Sequence, residues 1–157
     1  MEFLKVNDQI ILYYPEGFHV MDDAERSEMN FLEAGLSEVL SDPERHMLVT
    51  VGWKKSGGFA SFMLNSKDLA KNMESKVSKA MAPAGYTLNG FMEKAVGGKT
   101  IEGFGYEYSA GGVDMYGESF ALKTGKMLYY FHLYARKELL EDSLPVWEEM
   151  LNSAEWI

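Results

Sequence analysis

The chain has 157 residues, a formal net charge of −9 and no cysteine. Its length fits one domain with a sizeable core, and an apolar fraction of 46% argues against intrinsic disorder. The negative charge argues against binding to nucleic acid or to anionic lipid surfaces, because both are recognised through clustered Lys and Arg. The absence of cysteine excludes disulfides, thiolate nucleophiles and thiolate metal ligands.

The first 55 residues predict mainly strands. The apolar runs at residues 3–6 and 9–14 indicate a hairpin, which Pro15 ends because proline lacks the backbone donor of a strand ladder. The other elements predicted here are a short helix from Asp22 or Asp23 to about residue 31, a turn at 42–45 and a β-branched strand at 46–54. The stretch 32–40 fits either a helix or a strand.

The strongest helical pattern follows a glycine-containing loop. Ser66 is a residue type that caps helix N-termini, and Leu69, Met73 and Val77 fall on one apolar stripe. Alanine, proline and glycine at residues 82–85 predict the end of this helix.

From residue 86 onward the apolar pattern changes to a period of two. Four strands are predicted, at about 86–96, 99–109, 113–122 and 126–135. The short glycine-containing turns between them make consecutive strands antiparallel neighbours. A closing helix is predicted at about 143–153, with Pro145 in its first turn and Trp147, Met150 and Leu151 on one face. The pattern therefore predicts an α+β fold.

Short motifs near the two ends resemble the PsbP-like family. Residues 14–18, Tyr-Pro-Glu-Gly-Phe, are similar to the motif that follows the first strand of these domains, and residues 147–153, Trp-Glu-Glu-Met-Leu-Asn-Ser, are similar to their closing helix. The resemblance implies one PsbP-like domain over residues 1–157, with a central antiparallel β-sheet of about six strands and helices on both faces, an α/β/α sandwich. The fold is shared with a Ran-binding nuclear import factor, and many bacterial members have unknown function. Because the fold serves mostly binding and assembly, the resemblance implies no catalytic residues.

Two glycine motifs fail the tests for nucleotide sites. Gly98-Lys99-Thr100 lacks the upstream glycine of a phosphate loop, since position 93 is glutamate, and a hairpin turn is predicted instead. Residues 103–105, Gly-Phe-Gly, lack the third glycine and the helix of a dinucleotide site. Glycines inside a strand indicate a bulge or a place where a large aromatic side chain packs across.

No arrangement of polar residues predicts catalysis or metal binding. The three histidines show no metal-ligand spacing, and His132 is predicted to be half-exposed on a strand, opposite Phe131. Strand glutamates are predicted to be solvated; these are Glu102, Glu107 and Glu118. Ser119 has no sequence partner that would activate it. We therefore expect no enzyme activity, no cofactor and no metal.

Tyrosines on the predicted hairpins form the candidate interface. They are Tyr106, Tyr108, Tyr116, Tyr130 and Tyr134. Tyrosine combines apolar area with a hydrogen-bonding tip, which suits protein interfaces, although cross-strand packing beneath helices would use the same residues. The sequence favours a non-catalytic protein-binding or adaptor domain with an unknown protein partner. The alternative is a carrier of a small apolar ligand, with a cavity between sheet and helices lined by the abundant Met and aromatic side chains.

The sequence also bears on location. No apolar run approaches the roughly 18 residues that span a bilayer, and no basic and apolar leader precedes the first strand. The expectation is a cytoplasmic protein without membrane insertion.

Overall fold

The structure, a computed structural model, describes residues 1–29, 36–57 and 63–157. Within those ranges the chain forms ten strands and three α-helices. In chain order they are β1 (Glu2–Val6), β2 (Ile10–Tyr14), β3 (His19–Val20), α1 (Asp23–Ser27), β4 (Ser37–Asp42), β5 (Met47–Lys55), α2 (Ser66–Met81), β6 (Thr87–Val96), β7 (Lys99–Ala110), β8 (Val113–Thr124), β9 (Met127–Arg136), α3 (Leu140–Ser153) and β10 (Glu155–Trp156).

The strands form two antiparallel sheets. The larger sheet has the order β3-β4-β5-β9-β8-β7-β6, and the smaller sheet has the order β1-β2-β10. The four predicted hairpin strands are confirmed, with ends within about two residues of the predicted ones. Gly97 and Gly98, at φ 54° and 85°, make the tight turn between β6 and β7, so the Gly-Lys-Thr motif belongs to a hairpin as predicted.

Helices cover both faces of the larger sheet. On one side, called the α3 face, Trp147, Met150 and Leu151 of α3 join Phe120 and Phe131 in the main core. On the opposite side, called the α2 face, Leu69 of α2 packs against Ala121 and Leu128. The predicted α/β/α sandwich is confirmed. The smaller sheet supplies Ile10 and Leu12 to the main core, and its third strand, β10, was not predicted.

Glycines in β7 and β8 lie beneath large aromatic rings. A Cβ on Gly103 would lie 2.6 Å from Phe120 Cδ1, and one on Gly105 would lie 2.7 Å from the Tyr116 hydroxyl. A Cβ on Gly117 would lie 2.4 Å from Tyr106 Cζ. The interpretation of the Gly-Phe-Gly motif as an aromatic packing site is therefore confirmed.

The ends of the helices correct several expectations. The N-cap of α2 is Asn65, because the Asp68 N–H donates to Asn65 Oδ1 at 2.9 Å and the Asp68 carboxylate reaches back to the Asn65 N–H. Ser66 instead accepts from the Lys123 N–H at 3.0 Å and ties α2 to β8. The helix α3 begins three residues early, so Pro145 lies inside it.

The ambiguous region before β5 is settled in part. Residues 37–42 form β4, whereas residues 32–35 lie outside the described residues. The helix α1 is capped by Asp22 as predicted, but it ends at Ser27. Among the described residues, no helix combines the length and apolar character needed to cross a membrane.

Candidate functional site

The five candidate tyrosines lie on both faces of the larger sheet. Register pairs Tyr106 with Gly117 and Gly117 with Tyr134, so these residues share the α2 face, whereas Tyr116 lies on the α3 face. Tyr106 is 0% exposed and Tyr116 is also buried. Neither ring can contact a partner in this fold, which corrects the prediction for both. The partly exposed members are Tyr108, Tyr130 and Tyr134, and their role in an interface stays a prediction.

The burial of these rings has an electrostatic consequence. Removal from water disfavours the phenolate, and it raises the pKa of Tyr106 to about 12. Burial, a hydrogen bond to Glu118 and the charge of Glu118 raise the pKa of Tyr116 well above its usual range. Both hydroxyls therefore remain protonated at neutral pH, and the Tyr116 hydroxyl acts as a donor.

Glu118 is the largest departure from the predicted arrangement. Its side chain is 2% exposed, whereas a solvated carboxylate was predicted. Lys94 Nζ on β6 lies 2.7 Å from Glu118 Oε1, and Trp147 Nε1 on α3 donates to the same oxygen at 2.9 Å. The Tyr116 hydroxyl donates to Oε2 at 2.7 Å. Burial of the charge is tolerated because three donors surround it.

This cluster connects β6, β8 and α3, and its polar groups are already bonded to one another. Lys94 also contacts Glu148 at 3.2 Å, and its ammonium lies 5.8 Å from the centroid of the Phe120 ring. Both oxygens of Glu118 are occupied by donors, so the carboxylate is not placed to take a proton from a substrate. The arrangement orients α3 on the sheet, which is a structural role.

The structure contains a second polar pair that the sequence did not predict. Ser119 Oγ lies 2.7 Å from His132 Nδ1, a distance at which a serine and a base interact. The hairpin turn after β8 determines that Ser119 lies opposite His132. The pairing of the strands could therefore have indicated this contact, whereas no sequence motif does. His132 is half-buried opposite Phe131 as predicted, and burial lowers its pKa to about 4. Ser119 is fully buried, so no substrate can reach its hydroxyl.

Two small clefts open at the surface. One, of about 150 Å³, lies beside Lys94 and Glu148. The other, of about 190 Å³, is lined largely by polar groups that include Glu107, Asp114 and Lys137. Neither is an enclosed apolar cavity between sheet and helix, so neither supports the ligand-carrier interpretation. In the described ranges, no group of three His, Asp or Glu side chains is arranged to hold a metal ion.

The outer strand β6 carries the most exposed apolar side chains of the larger sheet. Leu88 is 39% exposed and Phe91 is 52% exposed. A register shift between Leu88 and Gly90 brings both side chains to the α2 face, because a bulge changes the alternation by one residue. Beside them, Glu93 pairs directly across from Glu102 on β7. These four side chains, Leu88, Phe91, Glu93 and Glu102, are called the β6 edge surface below.

Solved structures show the same architecture. No protein-family description and no curated protein sequence matches the chain. The PsbP protein of the cyanobacterium Synechocystis sp. PCC 6803 superposes with a TM-score of 0.68 and 12% identity, over 99% of this chain and 92% of that one. The fold is PsbP-like. The resemblance inferred from residues 14–18 and 147–153 is confirmed at the level of fold.

Two further structures share the PsbP-like fold. LpqN of Mycobacterium tuberculosis, a protein involved in cell envelope biogenesis, matches with a TM-score of 0.61 and 11% identity, over 94% of this chain and 82% of its own. A Pseudomonas aeruginosa protein of unknown function matches with a TM-score of 0.57 and 15% identity, over 98% of this chain and 94% of its own. Identities this low establish the PsbP-like fold alone.

Proposed function

We propose that the chain is a non-catalytic protein-binding or adaptor domain. The observation that carries this proposal is the β6 edge surface, where Leu88 and Phe91 are exposed side by side at the edge of the larger sheet. Exposed apolar side chains that are contiguous at an open sheet edge are typical of interaction sites. The PsbP-like fold agrees with the proposal, because the resemblance implies no catalytic residues.

The state of the polar side chains also supports a binding role. The buried strand carboxylate Glu118 accepts from Lys94, Trp147 and Tyr116, which occupy both of its oxygens. The serine with a histidine partner, Ser119, has no access to solvent. Catalysis needs a reactive group that a substrate can approach, and neither group meets that requirement.

Crosslinking in the native host tests the proposal. The full chain with an affinity tag is crosslinked in cells, purified and analysed by mass spectrometry, beside Phe91→Ser and Phe3→Ser variants. Phe3 is a matched control because it is 61% exposed on β1, in the other sheet. We expect one protein to be captured by the parent and by Phe3→Ser and to be lost with Phe91→Ser. Absence of any crosslinked protein would overturn the proposed function, and equal capture by Phe91→Ser would remove its basis.

A further inference from the structure

The outer edge of β6 is open to pairing with another strand. In the larger sheet β6 is the last strand and pairs with β7 alone. Among the described residues, no backbone hydrogen bond reaches that outer edge between Gly90 and Ala95. Beyond them the edge closes, because Trp156 Nε1 donates to the Val96 carbonyl at 2.9 Å. The open stretch is about 20 Å long, at roughly 3.3 Å per residue, which is enough for a strand of ordinary length.

The side chains next to this edge are apolar on the α2 face. Phe91 packs edge-on against Phe104, with ring centroids 6.0 Å apart, and still keeps half of its area exposed. The helix α2 packs mainly on β7 and β8. A large apolar side chain on an added strand would therefore cover Phe91 without displacing any part of the described fold.

The charges at the same position point to the chemistry of the partner. Glu93 and Glu102 lie directly opposite each other in the ladder, and like charges in such a pair are destabilising. None of the ion pairs formed by the described residues includes either one. Lys94 cannot help, since it lies on the α3 face and is bound to Glu118. A cation supplied from outside would relieve the repulsion.

We propose that β6 binds an extended, basic segment of a partner protein as an eighth strand of the larger sheet. The inference rests on the proposed protein-binding function and specifies its partner. Side chains two residues apart share a face of a strand, so the segment carries a Lys or Arg opposite Glu93 and a large apolar residue opposite Phe91, separated by one residue. Main-chain hydrogen bonds provide affinity in such complexes, and alternate side chains provide specificity.

A second copy of the chain fits this edge less well than a basic segment does. Each copy has a net charge of −9. Pairing of two β6 edges would bring two further carboxylates, from the Glu93 and Glu102 of the second copy, to the same seam. Repulsion at this edge would then increase, whereas a basic partner would reduce it.

Labelled peptides test the charge and the spacing. The probe is fluorescein-labelled Ser-Thr-Ser-Phe-Thr-Lys-Thr-Ser, and its control has Glu in place of Lys. We expect fluorescence anisotropy to show that the full chain binds the Lys peptide about tenfold or more tightly than the Glu peptide. Glu93→Lys should remove or reverse this preference, whereas Glu149→Lys, at an exposed position on α3, should keep it. Equal binding of the two peptides, or equal effects of the two substitutions, would overturn the inference.

Backbone methylation tests strand addition itself. Only alternate amides of an added strand face β6, so N-methylation at one set of alternate peptide positions should abolish binding and methylation at the other set should preserve most of it. Loss at every position, or at none, would contradict strand addition. Concentration-dependent dimers of the parent that Glu93→Lys strengthens would show that a second copy occupies the edge, which overturns the inference. Capture of a protein by crosslinking, with no peptide selectivity, would leave the proposed function standing and refute only this inference.

Discussion

Removal of Lys94 should carry a large electrostatic cost, because it leaves the buried Glu118 without its cation. Lys94→Met keeps most of the aliphatic stem and deletes the charge. Glu118 then remains 2% exposed with no cation within 4 Å among the described residues, since its ion pair is with Lys94. Removing one partner of a buried ion pair costs about 3–5 kcal/mol. Trp147 and Tyr116 continue to donate to the carboxylate, so we expect the lower end of that range, about 3 kcal/mol.

Substitution of the other partner, Glu118→Gln, should lower the free energy of unfolding by less than Lys94→Met does. After Glu118→Gln, Lys94 is 18% exposed and still lies 3.2 Å from Glu148. The amide oxygen of the new side chain can accept from Trp147, and the Tyr116 hydroxyl can turn to accept from the amide NH2. The main loss is then the charge-assisted contact with Lys94. We expect a cost of about 1–2 kcal/mol. The double variant contains no buried unpaired charge, and it should be more stable than the sum of the single effects predicts, by about 1 kcal/mol or more.

Urea denaturation at pH 7 measures these differences. The midpoint should shift at constant slope, since the surface exposed on unfolding is unchanged. Lys71→Met, on the exposed side of α2, is the matched control and should change the free energy of unfolding by no more than about 0.5 kcal/mol. The reasoning is refuted if Lys94→Met costs no more than Glu118→Gln, or if the two effects are additive.

Three further predictions concern the core. Trp147→Ala should lower the free energy of unfolding by about 3–5 kcal/mol, because the ring is buried, and Trp147→Phe should cost clearly less; thermal unfolding compares the two. The pKa of His132 is about 4 in the fold against 6.5 as its ordinary value, so the unfolded chain binds the proton first and stability falls as pH drops from 6.5 to 4. The loss is at most about 3 kcal/mol, and urea titrations at several pH values should show a smaller loss for His132→Asn than for the parent. Gly117→Ala forces a methyl group into a buried tyrosine ring and should cost at least about 1–3 kcal/mol, whereas Gly57→Ala meets no atom of the described residues within 4 Å and should leave the urea midpoint unchanged.

Elements with a strong local pattern were predictable. The strands β6 to β9 alternate apolar and polar residues and are separated by glycine turns, so both their type and their order follow from short-range information. The helix α2 was predicted in nearly the observed range, but its cap was assigned one residue too late because Asn65 and Ser66 are both capping types. The two-residue strand β10 has no local signal. It forms because α3 delivers the end of the chain to β2.

The candidate site was less predictable for a physical reason. Alternation shows that Glu118 and Ser119 point to opposite faces, and the sequence determines that much by itself. It does not show that α3 would cover one face and bring Trp147 to Glu118, or that β6 would place Lys94 beside it.

The packing of distant elements also decided which aromatic side chains are exposed. The strand pattern treated the five tyrosines alike, yet the tertiary structure buried Tyr106 and Tyr116 over glycines and left Phe91 open at the sheet edge. Local sequence determines which residues share a face, because that depends on backbone geometry alone. The packing of distant elements determines which face is covered and which charged side chains lie beside a buried group. Only the tertiary structure could decide this.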